Sequence, residues 1–219
     1  MASTTIDTDT ELSAVNSILG AIGQSPVTTL GEVNANTSAY DNPEVSFVYN
    51  ILRDANVDVQ NEGWHFNTEK HVTYTPDSDG KIEIGAGILK MDVTDGWSTR
   101  YYDVVKRKNT TDGKIYLYDK YDHTDDWSDI TSINLDLVRL VSFDDLPSVF
   151  QRYIVYRASR VAATNLVTNP QLVQLLQQQE NLARSAVMEY ECNQGNHSMM
   201  GFPENTVYST YAPWRGLSR

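Results

Sequence analysis

Apolar residues repeat at helical spacing near both ends of the chain and at strand spacing in the middle. This change of spacing along the chain constrains the fold more than any other feature of the sequence. The clearest helical repeat has apolar residues at alternating three- and four-residue steps: Val45, Val48, Leu52, Ala55 and Val59. Such a repeat places one apolar stripe on one face of a helix. The clearest strand-like segment is TSINLDLVRL, residues 131–140, where apolar and polar residues partly alternate. The chain is therefore predicted to be α+β.

Two helices are predicted before the β segment. The first begins near Asp9, where Thr8 and Glu11 have the spacing of a capping box. Its buried stripe is expected at Leu12, Val15, Leu19 and Ile22. The second helix is predicted over residues 43–62, with Gly63 in the left-handed position that ends it.

Two further helices are predicted after the β segment. The third begins near Pro147 and carries apolar groups on more than one face, which indicates a central position among the helices. The fourth begins at Asn169-Pro170 and ends at Gly195. We expect about four helices to pack as an antiparallel bundle built from both ends of the chain.

The middle of the chain is rich in β-branched and aromatic residues. Strands are predicted within four segments, residues 81–85, 100–108, 113–120 and 131–140, with glycine-containing turns between them. They predict a small antiparallel β module inserted into the helical module. The predicted domains are a helical part over 1–63, the β insertion over 64–140, a second helical part over 141–195 and an extended C-terminal tail over 196–219.

Charge and composition exclude several classes of protein. The net charge of −12 argues against binding DNA through its backbone, which requires clustered lysine and arginine. Cys192 is the one cysteine, so no intrachain disulfide is expected and a reducing compartment suits the chain. The N-terminus lacks the features of a signal peptide, and no apolar stretch reaches the ~18 residues of a membrane helix. We expect a soluble protein with no membrane contact.

The segment NEGWHFNTEKHV, residues 61–72, raises the question of a metal or acid–base site, because it holds His65, Glu69 and His71. Because Gly63 is expected to end the preceding helix, the stretch from Trp64 is predicted to be extended. His65, Glu69 and His71 then share one face, and Trp64 and Phe66 share the other. A polar face beside the end of a helix is more often solvated than catalytic. We interpret the segment as the joint between modules, with Gly63, Trp64 and Phe66 as its residues and burial of the two aromatics as its stabilising force.

The segment YDKYDHTDDWSDI, residues 118–130, is the alternative candidate for chemistry. Paired carboxylates near a tryptophan are what a glycoside hydrolase uses, so the acidic 119–129 cluster is also compatible with a polysaccharide hydrolase. The spacing of the aspartates does not match that of a calcium-binding loop, and the ordinary structural interpretation of the segment is a polar turn between strands. The chain has no phosphate-binding glycine loop, paired-cysteine spacing or nucleophile elbow. No catalytic residue, cofactor or metal ligand is therefore predicted.

Four segments, in the right order, resemble the tail tubular protein A family, the head-to-tail adaptors of short-tailed phages. They are ELSAVNSILGAIGQSPVTTL (11–30), VQNEGWHFNTEK (59–70), DLPSVFQRYIVYRASR (145–160) and ARSAVMEYE (183–191). The resemblance implies a structural virion protein that forms a dodecameric ring below the portal protein. It also implies contact with the tail nozzle protein (tail tubular protein B) and with tail fibres, and a channel through which DNA leaves during ejection without specific binding.

Two groups of residues are candidates for contacts in such an assembly. Arg152, Arg157 and Arg160 are candidates for ion pairs with the next copy, although they can equally pack within their own helices. The tail after Gly195 has no helix or strand period, yet it carries four spread aromatics: Phe202, Tyr208, Tyr211 and Trp214. Buried aromatics act as anchors at interfaces, so these four are candidate contacts with the portal or a neighbouring copy.

Overall fold

The computed structural model describes residues 10–31, 40, 42–94, 101–110, 112–167 and 169–194. The described residues fall into two compact units. One unit contains the described residues up to 59 together with 141–194, and we call it the helical unit. The other contains the described residues of 60–140, and we call it the β unit.

The described part of the chain has four α-helices, as predicted. They are α1 (Glu11–Ala21), α2 (Pro43–Gln60), α3 (Ser148–Leu166) and α4 (Pro170–Gln194). Side-chain oxygens cap three of them: Thr10 Oγ1 accepts from the Ser13 amide at 3.3 Å, Asn42 Oδ1 from the Glu44 amide at 3.0 Å, and Asn169 Oδ1 from the Gln171 amide at 3.0 Å. No helix in the described residues is long and apolar enough to cross a membrane.

The first helix starts later than its predicted beginning at Asp9. Thr10 is the cap and the helix begins at Glu11, whereas Thr8 and Asp9 lie outside the described residues. The buried residues of α1 are Ala14, Val15, Ile18 and Leu19. Leu12 and Ile22, expected in the stripe, are only half-buried because one is in the first turn and the other follows the last.

The predicted stripe of α2 is buried at all five of its positions, which are Val45, Val48, Leu52, Ala55 and Val59. Near the start of this helix, the Tyr49 hydroxyl donates to a Glu11 carboxylate oxygen at 3.2 Å and its ring packs edge-on against Tyr40. Burial, and then the Glu11 charge, raises the pKa of Tyr49.

The third helix lies against both α1 and α4. Its buried residues occupy more than one face, as predicted, and include Phe150, Tyr153, Ile154, Ala158 and Ala162. The α3–α4 pair is antiparallel, since Phe150 packs against Tyr190 near one end and Arg160 pairs with Glu180 further along.

The β unit has five strands in its described residues. They are β1 (Thr68–Tyr74), β2 (Ile88–Val93), β3 (Val104–Lys108), β4 (Ile115–Asp119) and β5 (Ile133–Arg139). An antiparallel sheet has the order β1-β5-β2, and β3 and β4 form an antiparallel pair. The Lys106 ammonium on β3 donates to the backbone oxygens of Ile88 at 2.7 Å and Leu89 at 3.2 Å, which links the pair to the sheet.

The core of the β unit follows the alternation predicted for residues 131–140. Ile133, Leu135 and Leu137 of β5 are buried, and they pack with Trp127 and Leu117. The predicted strand at 81–85 is wrong, because that segment makes only an isolated bridge to β4. Its two isoleucines are nevertheless buried in this core, so the pattern predicted the burial correctly and the element incorrectly.

Candidate interaction sites

Gly63 occupies the left-handed conformation expected at the end of a helix, with φ of +85°. Its amide donates to the Gln60 carbonyl at 3.1 Å, which is where α2 ends. A Cβ atom at this position would lie 3.3 Å from Cγ2 of Val138. Glycine is therefore favoured here by both the backbone conformation and the close packing.

The predicted joint residues differ in burial. Trp64 is 6 % exposed, whereas Phe66 is only half-buried. Residues His65–Asn67 form one 3₁₀ turn and the strand begins at Thr68, so the prediction that the chain is extended from Trp64 is wrong for this turn. Whether Gly63, Trp64 and Phe66 act as a joint between modules stays a prediction.

Asn67, a buried polar residue of this segment, was not predicted as important from the sequence. It is 2 % exposed and makes three hydrogen bonds. Its Oδ1 accepts from the Trp64 amide at 2.8 Å, and its Nδ2 donates to the carbonyls of Gln60 at 2.9 Å and Arg139 at 3.1 Å. The side chain thus ties together the two points where the chain enters and leaves the β unit. The one local signal is an asparagine three residues after Trp64, a spacing at which its side chain can bond back to the turn.

The three residues of the possible metal or acid–base site do not line up on one strand face. His65 lies in the 3₁₀ turn, and a bulge between Glu69 and Val72 places His71 at φ +58°. Glu69 forms an ion pair with Arg139 at 2.8 Å. Among the described residues, no group of three or more histidine, cysteine or acidic side chains is arranged to hold a metal ion.

The acidic segment 118–130 folds into turns that its own side chains stabilise. Asp119 is buried, and its Oδ1 accepts from the Tyr121 amide at 2.8 Å. Trp127 is buried as well, and its indole N–H donates to the Leu117 carbonyl at 3.1 Å. Both side chains therefore serve the core and the backbone of the β unit.

The other central acids of that segment also have structural partners. Asp125 pairs with Lys81 at 3.2 Å. Asp126 Oδ1 accepts from the Ser128 amide at 3.0 Å, and hydrogen bonds from Ser128 hold the pKa of Asp126 below its usual range. A Cβ atom on Gly80, whose φ is +72°, would collide with the same Asp126 oxygen. This arrangement is typical of polar turns, which is the ordinary structural interpretation given to the segment from its sequence.

The three candidate arginines have different surroundings. Arg157 pairs with Asp58 at 3.3 Å, and Arg160 pairs with Glu180, both within the same helical unit. Arg152 is exposed on α3 and has no ion pair in the described part of the chain. The four candidate aromatics of the tail, Phe202, Tyr208, Tyr211 and Trp214, lie outside the described residues.

The helical unit carries two apolar grooves that sequence analysis did not find. The first, here named the α3/α4 groove, has a volume of about 330 Å³ and is lined by residues that include Val149, Arg152, Tyr156, Gln179, Leu182 and Ala186. The second, named the α1/α2 groove, also has a volume of about 330 Å³ and is lined by residues that include Leu19, Ile22, Glu44, Phe47, Leu166 and Val167. Exposed large apolar side chains border both, with Leu182 at 72 % exposure on the first and Leu166 at 52 % on the second.

These surfaces are suited to packing against other protein chains, since exposed apolar patches commonly mark interaction sites. No curated protein compared with the chain matches it. Residues 12–197, which include both units, match the family model described as tail tubular protein. The chain therefore belongs to the tail tubular protein family, whose members are structural components of phage tails.

Proposed function

We propose that this protein forms the ring that joins the portal protein to the tail nozzle protein in a short-tailed phage and lets DNA pass during ejection. The observation that carries the proposal is the family match over residues 12–197. The finer assignment, to the head-to-tail adaptors, draws on the four sequence segments that resemble them. The ring is assembled from copies of this chain, as a dodecamer in that family.

The charge of the chain supports a conduit that does not grip DNA. The net charge of −12 is spread so that residues 1–63 carry nine acids against one base, Arg53. A wall of like charge lets phosphates pass without contacts that would have to be broken. DNA is thus a passing cargo of the ring, not a bound ligand.

We assign different contacts to the parts of the chain. The helical unit, packed as an antiparallel bundle, forms the body of the ring, and Gly63, Trp64 and Phe66 join it to the β module. The β module faces the nozzle protein or a tail fibre. The C-terminal tail docks on the portal or a neighbouring copy through its aromatics, as buried aromatic side chains commonly do at interfaces.

Electron-microscope class averaging of the protein mixed with the portal particles of its phage tests the proposal. Ring-shaped density with the portal's symmetry, added below the portal, is expected. Portals that stay bare, while another binder confirms that they are active, would refute the adaptor assignment.

A variant tests the tail separately. Replacing Phe202, Tyr208, Tyr211 and Trp214 with alanine in the full chain should leave the far-ultraviolet circular dichroism unchanged and reduce binding to portal particles. Binding equal to that of the unchanged chain would remove the tail from the interface. No observation favours the polysaccharide hydrolase, because the central acids of its candidate cluster have the structural partners described above.

A further inference from the structure

The helical unit exposes apolar side chains at two places that differ in their residues and in their position. The α3/α4 groove is bordered by Leu182, and the α1/α2 groove by Phe47 and Leu166. All three side chains are exposed in the single chain. Burying such groups against protein removes apolar surface from water, which is the main driving force of association.

The two grooves do not overlap. On α3 the first groove extends from Ser148 to Tyr156, and the second begins at Leu166, at the other end of the helix. With a helical rise of about 1.5 Å per residue, the stretch between Tyr156 and Leu166 separates them by ~15 Å. When two different, separated surfaces of a subunit fit each other, copies pack head to tail, and such contacts generate rings or filaments.

The charges at the two grooves are complementary. The α3/α4 groove contains Arg152, and the α1/α2 groove contains Glu44; both side chains are exposed, and neither has an ion pair in the part of the chain that the structure describes. The neighbouring arginines differ, because Arg157 and Arg160 are paired within the helical unit. Opposite charges at the rims of apolar patches favour correct pairing and fix its register.

We propose that the α3/α4 groove of one copy packs against the α1/α2 groove of the next, with Leu182 facing Phe47 and Leu166, and Arg152 facing Glu44. This contact closes the ring and rests on the proposed function. It is a heterologous contact, so each copy uses one groove toward each neighbour.

A matched pair of substitutions on α4 tests the contact. Leu182→Glu places a charge in the proposed interface, whereas Met188→Glu places it on the same helix, about 120° around the axis and in neither groove. Both native side chains are exposed, Leu182 by 72 % and Met188 by 46 %, so neither variant should unfold the chain. Circular dichroism melting curves of both variants test this expectation.

Assembly is measured by sedimentation velocity over a range of protein concentrations and by counting copies on portal particles in class averages. Leu182→Glu should weaken association between copies by at least about tenfold, because a buried unpaired charge is costly. Met188→Glu should assemble like the unchanged chain. Equal assembly of Leu182→Glu and the unchanged chain would overturn the contact.

Charge exchange tests the register of the contact. Arg152→Glu and Glu44→Arg should each weaken association, by roughly threefold to tenfold for a rim pair. The double variant, with both substitutions in one chain, should recover most of the loss, since each interface then contains one acid and one base. Failure of the double variant to recover would overturn the pairing of Arg152 with Glu44.

Mixed copies test the head-to-tail geometry. Leu182→Glu disrupts the α3/α4 groove, and Leu166→Glu disrupts the α1/α2 groove. In a mixture of the two variants, the intact α1/α2 groove of the first can bind only the intact α3/α4 groove of the second, so assembly should stop at dimers. Larger assemblies from the mixture, or no dimers, would contradict the proposed contact. If every one of these variants still forms rings on portal particles, the contact is refuted and the proposed function stands. If the unchanged chain assembles neither alone nor on portal particles, both are refuted.

Discussion

Replacing Asn67 with alanine removes the three hydrogen bonds through which one buried side chain connects Gln60, Trp64 and Arg139. Each such bond contributes about 0.5–1.5 kcal/mol net. The three together predict a loss of about 1.5–4.5 kcal/mol. Since small domains have a total stability of about 5–15 kcal/mol, this is a large fraction for the β unit.

The assay is urea-induced unfolding followed by tryptophan fluorescence. Trp64 and Trp127 are buried and belong to the β unit, so their emission reports on its unfolding. Asn134→Ala is the matched control, because this asparagine is exposed on β5 and accepts one hydrogen bond, from Thr73 Oγ1 at 2.9 Å. It should lose less than about 1 kcal/mol.

A second variant separates the two halves of the amide. Asn67→Asp keeps one oxygen as the acceptor for the Trp64 amide, but its other oxygen replaces the donor Nδ2 and faces the carbonyls of Gln60 and Arg139 in a buried place. It should be at least as destabilising at neutral pH as Asn67→Ala. If Asn67→Ala loses no more stability than Asn134→Ala, the side chain does not tie the ends of the β unit together, and the reasoning is refuted.

Three further predictions concern stability. Gly80→Ala should cost about 1–3 kcal/mol more than Gly113→Ala, since both glycines have positive φ but a Cβ at Gly113 meets nothing within 4 Å; equal denaturation midpoints would contradict this. Trp64→Ala should cost about 3–5 kcal/mol and His65→Ala less than about 0.5 kcal/mol, because the tryptophan is buried and the histidine exposed; loss of assembly in His65→Ala alone would argue for a functional histidine. Burial raises the pKa of Tyr49, so the folded state holds the hydroxyl proton more tightly than the unfolded state does. The stabilisation that this provides is complete below the ordinary tyrosine pKa of about 10 and falls as the pH rises above that value. Tyr49→Phe should therefore reduce the alkaline loss of melting temperature, and an identical loss in both proteins would refute the assignment.

The sequence predicted the elements whose pattern is regular. The α2 stripe is buried at every predicted position, and β5 alternates as expected. The stretch after Gly63 was predicted to be extended, which holds from Thr68 onward in β1, whereas β2 was not predicted; both strands have an irregularity in their pairing with β5. A bulge shifts the alternation of side chains, so the periodic signal is lost although the strand persists.

The contacts at the candidate sites were harder to predict, because the residues that contact each other are distant in sequence. The bond from Asn67 to Arg139 spans 72 positions, and the pairing of Arg157 with Asp58 spans 99. No local spacing carries that information. The two grooves are formed by residues of different helices. In the sequence, the side chains that border them are therefore indistinguishable from other apolar residues of a helix.

The partners of the arginines also bear on the proposed contact between copies. Were Arg152, Arg157 and Arg160 all to pair with the next copy, assembly would depend strongly on ionic strength, because salt shortens the Debye length from about 10 Å at 0.1 M to about 3 Å at 1 M. Arg157 and Arg160 have acidic partners in their own helical unit, so of the three only Arg152 takes part in the proposed contact. In the proposed contact, apolar burial then provides most of the stabilisation, and burial is not screened by salt. Assembly on portals should therefore weaken by less than about tenfold between 0.1 M and 1 M sodium chloride, a loss of about 1.4 kcal/mol per contact at most. Complete dissociation at 1 M would indicate an interface held by several ion pairs and would contradict the apolar contact.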